Sequence, residues 1–237
     1  CSSELGGGRN WKLMEQRKVI TLEQANELCE KLTTAEYAMP MSRRMGASIK
    51  YGDESLMGMS ILGTRSDYGL IPSGEVVQGR FFADFEDQYS EKVVVIGWGV
   101  YKSLFEQGGI DPIDKSININ GRNFRIIGVL KKQGTMMMDF IDNQMAIPLK
   151  TYLNIFGSFN RGFSIAVKAG STERMDNCRS EIEGNMRIVR NLYPGEDNDF
   201  AINETKTFED NIATFRMYVW GIGIGMTVLS FIVGIIG

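Results

Sequence analysis

The sequence predicts an α/β protein of two lobes that ends in one membrane-spanning helix, and three observations carry that expectation. Amphipathic helix patterns alternate with short β-prone runs at both ends of the first 206 residues, a strand-rich block between Glu75 and Gly157 interrupts the alternation, and the last 21 residues carry no charge. Hydrophobic residues make up 43% of the 237 and charged residues 23%, so most of the chain is globular rather than disordered or a bundle of membrane spans. A net charge of -3 leaves no broad cationic surface for nucleic acid. The chain has no histidine, which removes histidine-based acid–base catalysis, the Ser-His-Asp triad and every His-ligated metal site.

Taken in order, Gly6, Gly7 and Gly8 give a flexible opening. Thr21 and Gln24 then form a capping box for a helix running to about Leu32. Three short strands are expected at Tyr37–Met41, Gly46–Tyr51 and Leu56–Gly63, separated by charged or glycine-containing turns. The block from Glu75 to Gly157 reads as an insertion with a buried strand at Val93–Ile96 and a helix near Val100–Phe105. Further strands follow near Ser116–Ile119, Asn123–Val129 and Gln144–Pro148. Beyond it come a strand at Phe163–Val167, a long amphipathic helix from Glu173 to about Leu192, and a strand near Asp199–Ile202. The division is therefore residues 1–74 with 158–206, then 75–157, then 207–237.

Thr207 is placed to cap a last helix whose apolar positions Phe208, Ile212 and Phe215 lead past Arg216 into Met217 without a break. Met217–Gly237 spans about 30 Å as a helix, enough to cross a bilayer, with Tyr218 and Trp220 at the interface position. A buried core helix is the rival reading. Cys1 in place of an initial Met reads as a fragment or processed product, and Cys1-Ser2-Ser3 also matches the start of a mature lipoprotein.

Chemical motifs are weak. Gly97-Trp98-Gly99 after a strand imitates a dinucleotide fingerprint, but Lys102 stands where the third glycine belongs. Gly109–Ser116 (GIDPIDKS) is one residue from a phosphate loop, with Asp114 in place of a glycine and a carboxylate that would repel phosphate. Cys29 and Cys178 lie on apolar helix stripes, either as two buried thiols or as one bridge between neighbouring helices. Met136, Met137 and Met138 are either part of the insertion's core or an adaptable contact surface for a partner or greasy substrate.

Several segments taken together resemble the extracytoplasmic domain of MacB-like ABC transporter permeases, the group that includes the FtsX and LolC/LolE permeases. These are GTRSDYGLI (Gly63–Ile71), GRFF (Gly79–Phe82), KVVVIG (Lys92–Gly97), DPIDKSININGRNFRIIGVL (Asp111–Leu130), DNQMAIPL (Asp142–Leu149) and the glycine-rich terminal run. The family usually has glycine where this chain has Asp114. The resemblance implies a porter-like βαβ lobe built from both ends of the segment, an inserted strand-rich lobe, and a place between the first two helices of a four-span permease. It implies an inner-membrane protein with residues 1 to about 216 on the periplasmic or extracellular side. It also implies a non-catalytic role in which ATP, bound on a separate or fused nucleotide-binding domain, drives a homodimer or paired permease for export or extraction. An adaptor protein and an outer-membrane duct are further partners by analogy, and no cofactor is expected in this segment. Thr207, Phe208, Ile212, Phe215 and Arg216 are then the coupling stalk. The rivals are a membrane-anchored hydrolase using carboxylates and a tail-anchored scaffold domain.

Overall fold

The computed structural model describes residues 18–133, 139–157, 162–203 and Trp220. By contacts the chain divides into Cys1–Asp197 and Asn198–Gly237. In the first unit, helix α1 (Leu22–Lys31) starts at the expected capping box, in which Thr21 Oγ1 accepts from the Gln24 amide and Gln24 Oε1 accepts from the Thr21 amide. Strands β1 (Ala35–Tyr51) and β2 (Glu54–Thr64) form a long hairpin. Two 3-10 turns (Ser66–Leu70 and Pro72–Gly74), strand β3 (Val76–Gly79) and helix α2 (Asp84–Gln88) follow. After β4 (Val93–Ile96), helix α3 (Trp98–Tyr101) continues as a π turn over Lys102–Glu106. Strands β5 (Ser116–Ile119) and β6 (Arg122–Leu130), helix α4 (Asp139–Asp142), strand β7 (Gln144–Pro148) and helix α5 (Leu149–Phe156) complete the middle of the chain. Strand β8 (Ser164–Ala169) and helix α6 (Met175–Val189) come last.

The pairings of six strands close on themselves. The order runs β1–β2, β2–β7, β7–β4, β4–β6, β6–β5 and β5 back to β1. Such closure leaves no edge within the ring. Alternation along each strand sends one set of side chains inward, where Ile49, Ile61, Ile96, Ile117, Ile126 and Met145 meet in one core with Phe105 and Tyr152. Gly63 on β2 makes room for Tyr152, because a Cβ there would sit 2.4 Å from the ring. The outward set, including Leu62, Val93, Val95 and Ala146, is covered by the excursion from Arg65 to Lys92 through Tyr68, Phe81 and Phe82. Strand β3 lies antiparallel on the last residues of β6.

Two expectations about strands change. The runs read as separate strands at Tyr37–Met41 and Gly46–Tyr51 are one strand of 17 residues, and the stretch Ser42–Met45 is not a turn. The first half of β1 pairs with β8 in a separate ladder, and the second half with β2 and β5 in the ring. The glycine-containing stretch forms a bulge and not a turn. At Met45-Gly46 the strand gains one residue, with Gly46 at φ +79, and at Met57-Gly58 the partner strand gains one, with Gly58 also at φ +79. The second correction is that Asp199–Ile202 forms no strand.

Strand pairing also runs across Glu75. Strand β2, from before the expected insertion, pairs in parallel with β7 from within it, and β1 pairs with both β5 and β8.

Candidate functional site

The segment Lys18–Thr21, where the described chain begins, meets the C-terminal end of α6. Helices α1 and α6 pack together, and their hydrogen bonds run antiparallel. At one end, Arg190 just past α6 donates from Nη1 to the carbonyl of Val19 and to Gln24 Oε1, each at 3.3 Å, and from Nη2 to the carbonyl of Lys18. In the middle, Asn185 Nδ2 donates to the carbonyl of Lys31 at 3.3 Å. At the other end, Glu181 accepts from the amides of Thr33 (2.8 Å) and Thr34 (2.9 Å) and from both threonine hydroxyls, in the two residues that lead into β1.

These are chemically directed ties. A carboxylate has about four lone-pair sites and receives four donors here, and a guanidinium fork reaches two adjacent carbonyls. The Thr34 hydroxyl bond, with the other three, pulls the Glu181 carboxyl down to about 2. Chain entry is held further by the Phe163 amide, which donates to the Ile20 carbonyl at 3.0 Å, and by Ile20 and Leu22 packing with Ala25, Leu149 and Phe163. One helix thus holds the incoming strand from its middle and the incoming chain from just past its C-terminal end.

The same antiparallel alignment decides the cysteines. The Gln24–Arg190 and Lys31–Asn185 ties put Cys29 level with Met186, about eight residues or roughly 12 Å along α6 from Cys178. A disulfide needs Cα atoms within about 7 Å. Both are free thiols, Cys178 buried and Cys29 half-buried, so the alternative of a bridge is not realised. Burial pushes the Cys29 thiol up to about 11, which keeps it protonated at neutral pH.

A second cluster lies where the GTRSDYGLI and GRFF segments cover the ring. Glu86, 2% exposed, takes a bidentate pair from Arg80 (2.6 and 2.8 Å) and a bond from the Ala83 amide (2.9 Å), and the arginine holds its carboxyl below the usual range. Asp114 is in the left-handed region at φ +61 and pairs with Arg125 at 3.0 Å. Lys150 donates its amide to Asp87 at 2.8 Å, and Thr151 Oγ1 donates to the Glu91 carbonyl at 2.8 Å, which fixes the cover to α5.

A family model described as MacB-like periplasmic core domain matches residues 3–185. The chain belongs to that family. Among curated relatives it is 27% identical over 224 residues to the pyoverdine export ATP-binding/permease protein PvdT of Pseudomonas savastanoi pv. phaseolicola, covering 87% of this chain and 32% of the relative. It is 30% identical over 155 residues to the macrolide export ATP-binding/permease protein MacB of Chlorobaculum tepidum, covering 65% of this chain and 23% of the relative. The chain thus spans about a third or less of the length of these relatives. Among solved structures, the periplasmic region of MacB from Actinobacillus actinomycetemcomitans superposes with a TM-score of 0.68 at 22% identity, covering 88% of this chain and 89% of that one. The extracellular domain of the noncanonic ABC-type transporter YknZ from Gram-positive bacteria gives 0.60 at 19% identity, covering 76% and 89%. The α/β fold of the sequence reading is the fold of these MacB-like domains.

The residues singled out from the sequence fall mostly elsewhere. Thr207, Phe208, Ile212, Phe215 and Arg216 lie outside the described residues, as do Met136, Met137 and Met138, and all of Met217–Gly237 except Trp220, which is helical. Among the described residues no helix is long and apolar enough to cross a membrane. Sequence reasoning missed Arg190 and Glu181. Their partners are backbone groups, threonines and Gln24, 147 to 172 residues away, which leave no local pattern.

Proposed function

We propose that this chain is the periplasmic domain of an ABC permease, and that it carries ATP-driven motion between two membrane helices rather than performing catalysis. The supporting observation is the α1–α6 joint, where one helix holds both the entering chain, through Arg190, and the root of β1, through Glu181. A displacement of the entering segment is then delivered to α6 as a unit, because a packed helix moves its two ends together. On this reading β1/β8 with α1 and α6 form the porter-like lobe and the closed ring the inserted lobe, with β1 common to both. Residues Thr207–Arg216 act as the stalk, Met217–Gly237 crosses the inner membrane, and an ABC ATPase powers a dimer. The relatives named for pyoverdine and macrolide export favour an export role. Met136, Met137 and Met138 remain candidates for substrate or partner contact.

The test uses the full-length transporter in nanodiscs with its ATPase, comparing wild type with the double variant Arg190→Ala, Glu181→Ala. The expected outcome is ATP turnover within about twofold of wild type with transport reduced at least tenfold. Transport that tracks ATP turnover in the variant, with the domain folded by circular dichroism, would remove the joint from the mechanism. Absence of any associated ATPase would return the weight to an anchored hydrolase or scaffold.

A further inference from the structure

The β5–β6 hairpin turns on Asn120-Gly121, the one Asn-Gly pair in the sequence. Asn120 at φ +48 and Gly121 at φ +83 are both left-handed, as a two-residue turn of type I′ requires. Asn120 also helps to close the ring. Strand β5 meets β1 through two register pairs, Ile49 with Ile119 and Lys50 with Asn118, and Asn120 extends that short ladder by one step. Its amide donates to the Ser48 carbonyl at 3.0 Å, and its Oδ1 accepts from the Ser48 amide at 2.9 Å, so a side-chain carbonyl takes the place of a backbone one. Closure of β5 on β1 thus rests in part on the carboxamide of an exposed residue.

An Asn-Gly pair carries its own reaction. The glycine nitrogen, unhindered by a side chain, gives up its proton to water and bonds to the asparagine Cγ; the Cγ–Nδ2 bond breaks and Nδ2 leaves as ammonia. Water then opens the resulting succinimide ring. Breaking the bond to Cγ gives aspartate, and breaking the bond to the backbone carbonyl carbon gives isoaspartate, whose main chain runs through Cβ and Cγ. Nothing is oxidised or reduced. In the closed hairpin three features oppose the first step. A left-handed residue has ψ of about +30 to +60°, which turns the Gly121 nitrogen away from the Asn120 Cβ. The Gly121 N–H is held by Asn118 Oδ1 at 2.9 Å, and Asn118 is itself tied to Asn123 through its Nδ2 at 2.9 Å. Asn120 Oδ1 is held on β1 by the Ser48 amide.

We propose that Asn120-Gly121 is a site of spontaneous deamidation that stays silent while β5 is closed on β1, and whose isoaspartate product prevents that closure from re-forming. The rate is then set by how often the ring opens, since a group protected in the closed state reacts only from the open one. The two products differ in effect. Aspartate keeps a side-chain oxygen for the Ser48 amide, whereas isoaspartate adds a methylene to the main chain of a two-residue turn and leaves its carboxylate on Cα. The hairpin thereby records an opening of the ring in a covalent form that persists. The inference is independent of the α1–α6 joint, and it stands or falls without reference to ATP coupling.

The test incubates the full chain in nanodiscs beside a peptide spanning Ser116–Arg125 in mildly alkaline buffer, and follows aspartate and isoaspartate at position 120 by peptide mapping. The expected result is conversion at least tenfold slower in the chain than in the peptide. Across urea concentrations below the unfolding midpoint, the rate in the chain should rise in proportion to hydrogen exchange of the Gly121 amide. Aged chains carrying each product are then separated by chromatography. The Ser48 amide should exchange at least tenfold faster in the isoaspartate chain than in the unmodified one, and within about twofold of it in the aspartate chain. Conversion at the peptide's rate would mean that the turn protects nothing, and a rate that ignores urea would mean that the reaction proceeds from the closed hairpin. A Ser48 amide still protected in the isoaspartate chain would mean that closure does not depend on Asn120. Each of these overturns the proposal, and no arm needs a substituted chain to fold.

Discussion

The closed ring and the α1–α6 joint solve the same problem with different materials. In the ring, backbone pairing satisfies strand after strand and leaves an apolar interior, so its rigidity is distributed over six ladders. In the joint, side chains of one helix hold backbone groups of a distant segment, and each tie is a single substitutable contact. The ring is therefore the part that cannot yield locally, and the joint is the part that can open while everything else stays folded.

The harshest way to break this contrast is at Gly63. Its Cβ position falls inside the Tyr152 ring contact, so Gly63→Val should cost about 3 kcal/mol or more and lower the urea midpoint of the whole first unit. A loss confined to one element would show that the ring is not cooperative. Next in size, Arg190→Ala should cost about 1.5 kcal/mol and raise hydrogen exchange at the chain entry while leaving Val94 and Ile126 amides protected. Equal loss of protection in both regions would merge the two.

The acid dependence of Glu181 sharpens the contrast without mutating the ring. Its folded value near 2 lies below the ordinary 4.5, so its contribution is fully present above about pH 4.5 and is lost as pH falls through 2. Thr33 and Thr34 amides should lose protection over that window in wild type, and the window should vanish in Glu181→Gln. Identical profiles in the two proteins would remove the carboxylate from the account. The smallest effect is expected at Asp114→Gly, which relieves a left-handed residue but removes an exposed pair with Arg125. The net change should lie under about 1 kcal/mol by thermal denaturation, and a larger loss would mark Asp114 as part of a stronger network.

Local chemistry was readable before the structure. The capping box of α1 and the apolar runs of β4 and β7 announce themselves because their determinants are a few residues apart. The closed ring was not readable, since its order depends on pairings such as Ser60 with Gln144 and Ile49 with Ile119, set by distant packing. Gly46 misled for a physical reason, because positive φ serves a turn and a bulge alike and only the partner strand distinguishes them. Arg190 and Glu181 carry no sequence signal at all, since any backbone carbonyl or amide could have been their partner.

The two Met-Gly bulges of the β1–β2 hairpin cancel. Arg44 faces Ile61 and Ile49 faces Leu56 in one register, and only the rung between them, Ala47 with Met59, is displaced by one residue. Along each strand the bulge also changes which residues reach the ring's core, from Ser42 to Ala47 and Ile49 on β1, and from Leu56 to Met59 and Ile61 on β2. The hairpin therefore holds a compensated pair of one-residue insertions. Deleting Gly46 and Gly58 together would restore plain alternation with the same inward set, whereas deleting either alone would slip the hairpin tip and turn polar side chains into the core. Length variation in this part of the chain is thus permitted only in matched steps on the two strands.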